Sequence, residues 1–125
     1  MPVETTRRIV VITGPTAVGK TALAVGVAKQ FPVRLISVDS GQVYRGLDVG
    51  TAKPSPALLE EFPHDLVNVR DVSDVFSVID FCSGATRAIN ESFESGIVPV
   101  LVGGTMFYIS ALLYGLGEVP PADQQ

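Results

Sequence analysis

Arg8-Ile9-Val10-Val11-Ile12-Thr13-Gly14-Pro15-Thr16-Ala17-Val18-Gly19-Lys20-Thr21 is the stretch from which the rest of the chain is read. Its first half is a continuous β-branched apolar run, the pattern of a strand buried on both faces in a parallel sheet. Gly14-Pro15 breaks that run at once. From Lys20 onward Ala22, Leu23, Val25, Val27 and Ala28 recur among helix-compatible neighbours, and Phe31-Pro32 stops them, so a helix is expected over residues 20–29. Between strand and helix, Gly14 to Thr21 satisfies G-x-x-x-x-G-K-[ST], in the strand–turn–helix context that a phosphate-binding loop requires. Glycines let successive backbone N–H groups point inward, and the helix N-terminus adds partial positive charge. Lys20 brings a point charge to the phosphates, and the Thr21 hydroxyl is suited to a magnesium ion.

Outward from this stretch the alternation repeats. Strands are expected at residues 34–39, 65–69 and 97–102, and helices at 55–62, 78–95 and 106–114. Ser77 and Asp80 are spaced as a capping box, and Gly96 and Gly115 stand as helix stops. Residues 40–54 carry glycine and proline with little periodicity, and so long a loop in a small domain marks a site. The class is α/β, a parallel sheet with helices on both faces and functional loops at the carboxyl ends of its strands. Residues 1–119 form one domain, and the polar, proline-bearing residues 120–125 read as the start of a linker.

Composition narrows the function. With 125 residues and 46% hydrophobic content the chain can bury a core, which excludes a disordered chain. Nine basic against thirteen acidic residues leave a net charge of −4, so a surface-wide electrostatic grip on nucleic acid is excluded. The single cysteine, Cys82, excludes an intramolecular disulfide and fits a reducing compartment, with the cytoplasm as the default. It reads as a packing residue. No apolar run approaches a membrane span, and the chain is read as soluble and monomeric.

Three further features carry chemistry. Asp39 ends an apolar strand and should project toward the phosphate loop, as a magnesium-holding acid, as a general base, or simply as a turn-forming residue. Gly103-Gly104-Thr105 joins strand to helix with close backbone approach, either as a second part of the site or as a tight turn with Thr105 at the N-cap. Lys20, Arg45, Lys53 and Arg70 fall in or near loops and could gather positive charge at one edge, or could be ordinary solvated charges. His64, with no second histidine to join it, reads as a surface loop residue.

Taken together, Gly14 to Thr21, Ile36-Ser37-Val38-Asp39-Ser40, the block Val43-Tyr44-Arg45-Gly46-Leu47-Asp48-Val49-Gly50-Thr51-Ala52-Lys53-Pro54, and Leu101-Val102-Gly103-Gly104-Thr105-Met106 resemble the tRNA dimethylallyltransferases in order and spacing. The resemblance implies a fold of P-loop nucleoside-triphosphate-hydrolase type. It implies transfer of a dimethylallyl group from dimethylallyl diphosphate to N6 of an adenosine beside the tRNA anticodon, with magnesium assistance. Gly14, Pro15, Thr16, Ala17, Val18, Gly19, Lys20 and Thr21 would hold the diphosphate, and Lys20 and magnesium would neutralise the leaving charge. Asp39 would accept the N6 proton, Asp39, Ser40, Gly41 and Gln42 would face the base, and Thr105 would orient the reacting groups. The target base would leave its stack to be reached.

Departures from the family pattern are Gly41 in place of a larger residue, Asp65 in place of the second histidine of Pro-His-His, and Val72 in place of a proline. The resemblance covers the family's amino-terminal portion, and implies that a further helical region grips the tRNA. A small P-loop kinase, or a non-catalytic phosphate-binding fragment, also fits the phosphate loop. The Gly50-Thr51-Ala52-Lys53-Pro54 block and the lack of an arginine-rich lid favour the transferase over the kinase.

Overall fold

All the described strands pair in one parallel sheet. The computed structural model describes residues 7–14, 17–46 and 53–116. In chain order the elements are β1 (Val10–Ile12), α1 (Ala17–Gln30), β2 (Val33–Val38), α2 (Pro56–Glu61), β3 (His64–Asp65), α3 (Val78–Glu94), β4 (Val98–Gly103) and α4 (Met106–Gly115). The strands lie in the order β1-β4-β2-β3, all parallel, with Leu35 opposite Val100 and Val38 opposite Gly103 between β2 and β4. Helices that cross over between strands are what a parallel arrangement requires. No described helix is long and apolar enough to cross a membrane.

Alternation along β2 and β4 sends successive side chains to opposite faces and so builds two cores. Ile36, Val38 and Leu101 pack with Phe81, Ala85 and Ile89 of α3 and Tyr108, Ile109 and Leu112 of α4. The Phe81 and Tyr108 rings stack with centroids 4.6 Å apart. On the other face Ile12, Leu35, Val100 and Val102 pack with Ala24 of α1. Cys82 packs at the edge of the larger core, and burial pushes its thiol pKa up, as suits a packing residue.

Several expectations change. Among the described residues the first strand is not buried on both faces: β1 stands at the edge of the sheet, with Val10 and Val11 40% and 36% exposed. The third strand does not run over residues 65–69, because Leu66 and Asn68 take φ of 68° and 59° and turn the chain after Asp65. The first helix opens at Ala17 rather than Lys20, which places Gly19, Lys20 and Thr21 within it. Gly115 does not stop α4; it is its last helical residue, and Leu116 caps the helix with φ −88°. Gly96 does end α3 in the left-handed region, at φ 74°. Ser77 and Asp80 form the expected capping box, each side chain bonded to the other's backbone N–H. Of the expected loop, residues 40–46 are turns closed by a bridge between Tyr44 and Arg70, with Val43 fully buried. Residues 47–52, the expected linker at 120–125, and Pro15 and Thr16 of the phosphate loop lie outside the described residues.

Candidate active site

The carboxyl ends of β1, β2 and β4 meet at one edge of the sheet, where the chain leaves into Thr13-Gly14, Asp39-Ser40-Gly41-Gln42 and Gly104-Thr105. Two glycines permit this convergence. A Cβ on Gly103 would stand 2.1 Å from the Val38 carbonyl oxygen, so no other residue fits there unless β2 and β4 part. A Cβ on Gly104 would stand 3.0 Å from Lys20 Nζ, so the lysine side chain lies directly over the Gly104 backbone. Lys20 and the Gly103-Gly104-Thr105 turn therefore lie side by side.

Asp39 forms the turn that the sequence allows. Its Oδ1 accepts from the N–H groups of Gly41 (2.8 Å) and Gln42 (3.2 Å), closing the turn that follows β2. These two bonds use one carboxylate oxygen and leave Oδ2 outside them. Thr105 occupies the N-cap of α4 but makes no side-chain cap bond. Its Oγ1 accepts instead from the Ser40 N–H at 3.1 Å, while its own N–H donates to the Val38 carbonyl at 3.2 Å. The hydroxyl thus ties the β4 turn to the Asp39 turn. Gln42, buried, accepts at Oε1 from the Ser37 hydroxyl at 3.0 Å, whereas Ser40 is exposed.

Lys20, Thr21, Asp39 and Gln42 line one small cavity with Pro54, His64, Val102 and Gly103. A hydroxyl and a carboxylate are hard oxygen donors that suit magnesium, which keeps several waters and needs few protein ligands. No group of three acidic, histidine or cysteine side chains gathers among the described residues, so Thr21 and Asp39 are the candidates to hold it.

The four cations separate. Arg45 pairs with Asp71 at 2.8 Å, the Arg70 guanidinium lies 5.3 Å from the Phe76 ring centroid, and Lys53 donates to the Tyr44 carbonyl and to Asn68 Oδ1. Lys20 alone of the four lines the cavity. The residue that sequence reasoning missed is His64, whose ring reaches the same cavity. Nothing in Pro63-His64-Asp65 marks it. It is the pairing of His64 beside Leu35 in the fold that brings it near Lys20 and Thr21 of α1.

A family model described as IPP transferase matches residues 42–125. The chain belongs to this family. Within it, the chain is 50% identical over 117 residues to the tRNA dimethylallyltransferase of Dichelobacter nodosus, covering 94% of this chain and 37% of that protein. The tRNA isopentenylpyrophosphate transferase of Bacillus halodurans is a solved relative with a TM-score of 0.81 and 46% identity, covering 88% of this chain and 36% of that one. A eukaryotic dimethylallyltransferase solved while acting on tRNA gives a TM-score of 0.79 at 33% identity, over 86% of this chain and 27% of the other. The chain thus spans about a third of the length of the relatives it matches. The likeness to both structures agrees with a parallel sheet of P-loop type carrying helices on both faces.

Proposed function

We propose that this chain carries the diphosphate-holding and base-facing part of an enzyme that moves a dimethylallyl group from dimethylallyl diphosphate to N6 of an anticodon-adjacent adenosine in tRNA. The observation that carries the reading is the meeting of Lys20, Asp39 and the Gly103-Gly104-Thr105 turn in one place, with Lys20 held over Gly104 and free of any ion pair among the described residues. Residues 14–21 hold the diphosphate, with Lys20 against its charge. The bond from the allylic carbon to the diphosphate oxygen breaks, the bond from N6 to that carbon forms, and the N6 proton passes to the Asp39 carboxylate. Lys20 stabilises charge as it develops on the leaving oxygen. Thr105, through Ser40, keeps the Asp39 turn in register with the phosphate site. Thr21, with Asp39 nearby, would hold a magnesium ion, which would help neutralise the diphosphate charge. Asp39, Ser40, Gly41 and Gln42 form the side that the adenine meets, with the buried Gln42 setting the depth of the turn. The same reading takes the chain as a cytoplasmic monomer.

The test has two arms. Dimethylallyl diphosphate with magnesium should raise the melting temperature of this chain more than ATP with magnesium does; the reverse order supports the kinase reading. In a chimera joining these residues to the remaining length of a relative, Asp39→Asn should keep dimethylallyl diphosphate binding and lose transfer. Near-normal turnover in that variant would eliminate Asp39 as the base.

A further inference from the structure

The half-buried ring of His64 has a task that the reading above does not give it. His64 Nδ1 lies 2.8 Å from the carbonyl oxygen of Phe62. A carbonyl only accepts, so Nδ1 carries the proton and Nε2 of the neutral ring carries a lone pair. That Nε2 is buried with no hydrogen-bond partner among the described residues. Buried polar atoms are nearly always satisfied, so an orphan of this kind points to a missing partner that is a donor.

The cavity that His64 lines offers a place for it. Its volume is about 20 Å³, enough for one water molecule, and Lys20, Thr21, Asp39 and Gln42 share its wall. A water there can donate one proton to Nε2 and the other to the Asp39 carboxylate, and can accept from the Lys20 ammonium. Each of these partners has the polarity the water needs. Burial also holds the imidazole pKa below its ordinary value, against the opposing pull of the Phe62 carbonyl and Asp65, which keeps the ring an acceptor.

We propose that His64 is a positioning residue of the phosphate site, its Nε2 accepting a hydrogen bond from one water held between Lys20 and Asp39, so that both charged groups are set before the ligand arrives. The proposal rests on the diphosphate reading of this site, and its own content is the role of the ring. Because His64 is the chain's only histidine, its nitrogens are read directly by long-range proton–nitrogen NMR correlation. Expected is a protonated Nδ1 and a pyridine-type Nε2, shifted as a hydrogen-bond acceptor is, with that resonance moving in Lys20→Ala. A proton on Nε2, or an Nε2 resonance indifferent to Lys20→Ala, overturns the proposal.

The second measurement is affinity for inorganic diphosphate with magnesium, by calorimetry on the whole chain. His64→Asn keeps an amide donor for Phe62 but its side chain is too short to place an acceptor in the cavity, whereas His64→Gln places one near the Nε2 position. Expected is a loss of about 10-fold in His64→Asn, as for other supporting residues around an ion site, and a loss within about threefold in His64→Gln, both with unchanged unfolding midpoints. Equal affinities in the wild-type chain and a folded His64→Asn overturn the role of His64 while leaving the diphosphate reading intact. No diphosphate binding by the wild-type chain overturns that reading, and this proposal with it.

Discussion

Two charged corners of the molecule are satisfied in opposite ways. At one, Arg34 on β2 is saturated: Nε and Nη2 donate to the Asp65 carboxylate at 2.6 and 3.0 Å, and Nη1 donates to Glu91 of α3 at 2.7 Å. Asp65 raises the Arg34 pKa, Glu91 adds to it, and the guanidinium is fully charged at any working pH. At the other, Lys20 lies over glycine backbone with no ion pair among the described residues, and the Asp39 carboxylate is held by backbone N–H groups alone. Charge paired inside the fold pins β2, β3 and α3 together. Charge left facing a cavity is available to a ligand.

The largest effect that tests this contrast is on Lys20. Lys20→Ala should weaken diphosphate binding about 100-fold, the worth of a good hydrogen bond from a charged donor, measured by calorimetry with magnesium present. Its unfolding free energy should change by less than about 0.5 kcal/mol, because the side chain supports no core contact. A strong loss of stability with affinity intact would reverse the roles of the two corners.

Arg34→Met should behave in the opposite sense. The pairs it breaks are about 30% exposed at Arg34 and Asp65, and so partly screened, and the expected loss is about 1–2 kcal/mol by urea denaturation. Diphosphate affinity should stay within about twofold, since no atom of this network reaches the cavity.

A smaller effect comes from pH. The His64 pKa is lowered in the folded chain, chiefly by burial, so between its folded value and the unfolded value near 6.5 the unfolded chain binds more protons. Stability is therefore full above about pH 6.5 and falls as the pH drops below it, by at most about 1.4 kcal/mol per unit. Denaturation midpoints from pH 7.5 to 5.5 should show this slope in the wild-type chain and lose it in His64→Gln. A slope shared by both would assign it to carboxylates.

The same contrast explains what could be read from sequence. Apart from β3, the described elements were legible in kind, through their apolar runs and through Ser77, Asp80 and Gly96, which punctuate α3 as local chemistry requires. Strand order was not legible. Ile9-Val10-Val11-Ile12 has the composition of a central strand, and nothing within it reveals that β1 lies at the edge of the described sheet. Asp65-Leu66-Val67-Asn68-Val69 looks like a strand, yet Leu66 and Asn68 turn with positive φ so that Asn68 and Val69 can bond Gln42 and Val43. In the site, Lys20, Asp39 and Thr105 were legible through motif and position, but the direction of the Thr105 hydroxyl was not, since Ser40 lies 65 residues away. His64 was illegible for the same reason. Its neighbours in sequence are Pro63 and Asp65, while its neighbours in space come from α1 and the turn after β2.

The smallest effect expected is on tRNA binding by these 125 residues alone. Nonspecific affinity for nucleic acid rises with the number of phosphates that lysine and arginine neutralise. Sequence position alone leaves Arg45, Lys53 and Arg70 available for that purpose. In the fold Arg45 faces Asp71, Arg70 lies over Phe76, and Lys53 bonds Tyr44 and Asn68, so each would have to give up a partner to reach a phosphate. The net charge of −4 opposes approach as well. Fluorescence anisotropy with an anticodon stem-loop should accordingly show no binding tighter than about 1 μM at 0.15 M salt, and little change at about 0.05 M. Arg45→Ala and Arg70→Ala should leave that result unaltered. Submicromolar binding that weakens steeply with salt and falls in those variants would mean that the paired cations exchange partners readily, and the division between saturated and available charge would fail at this edge of the molecule.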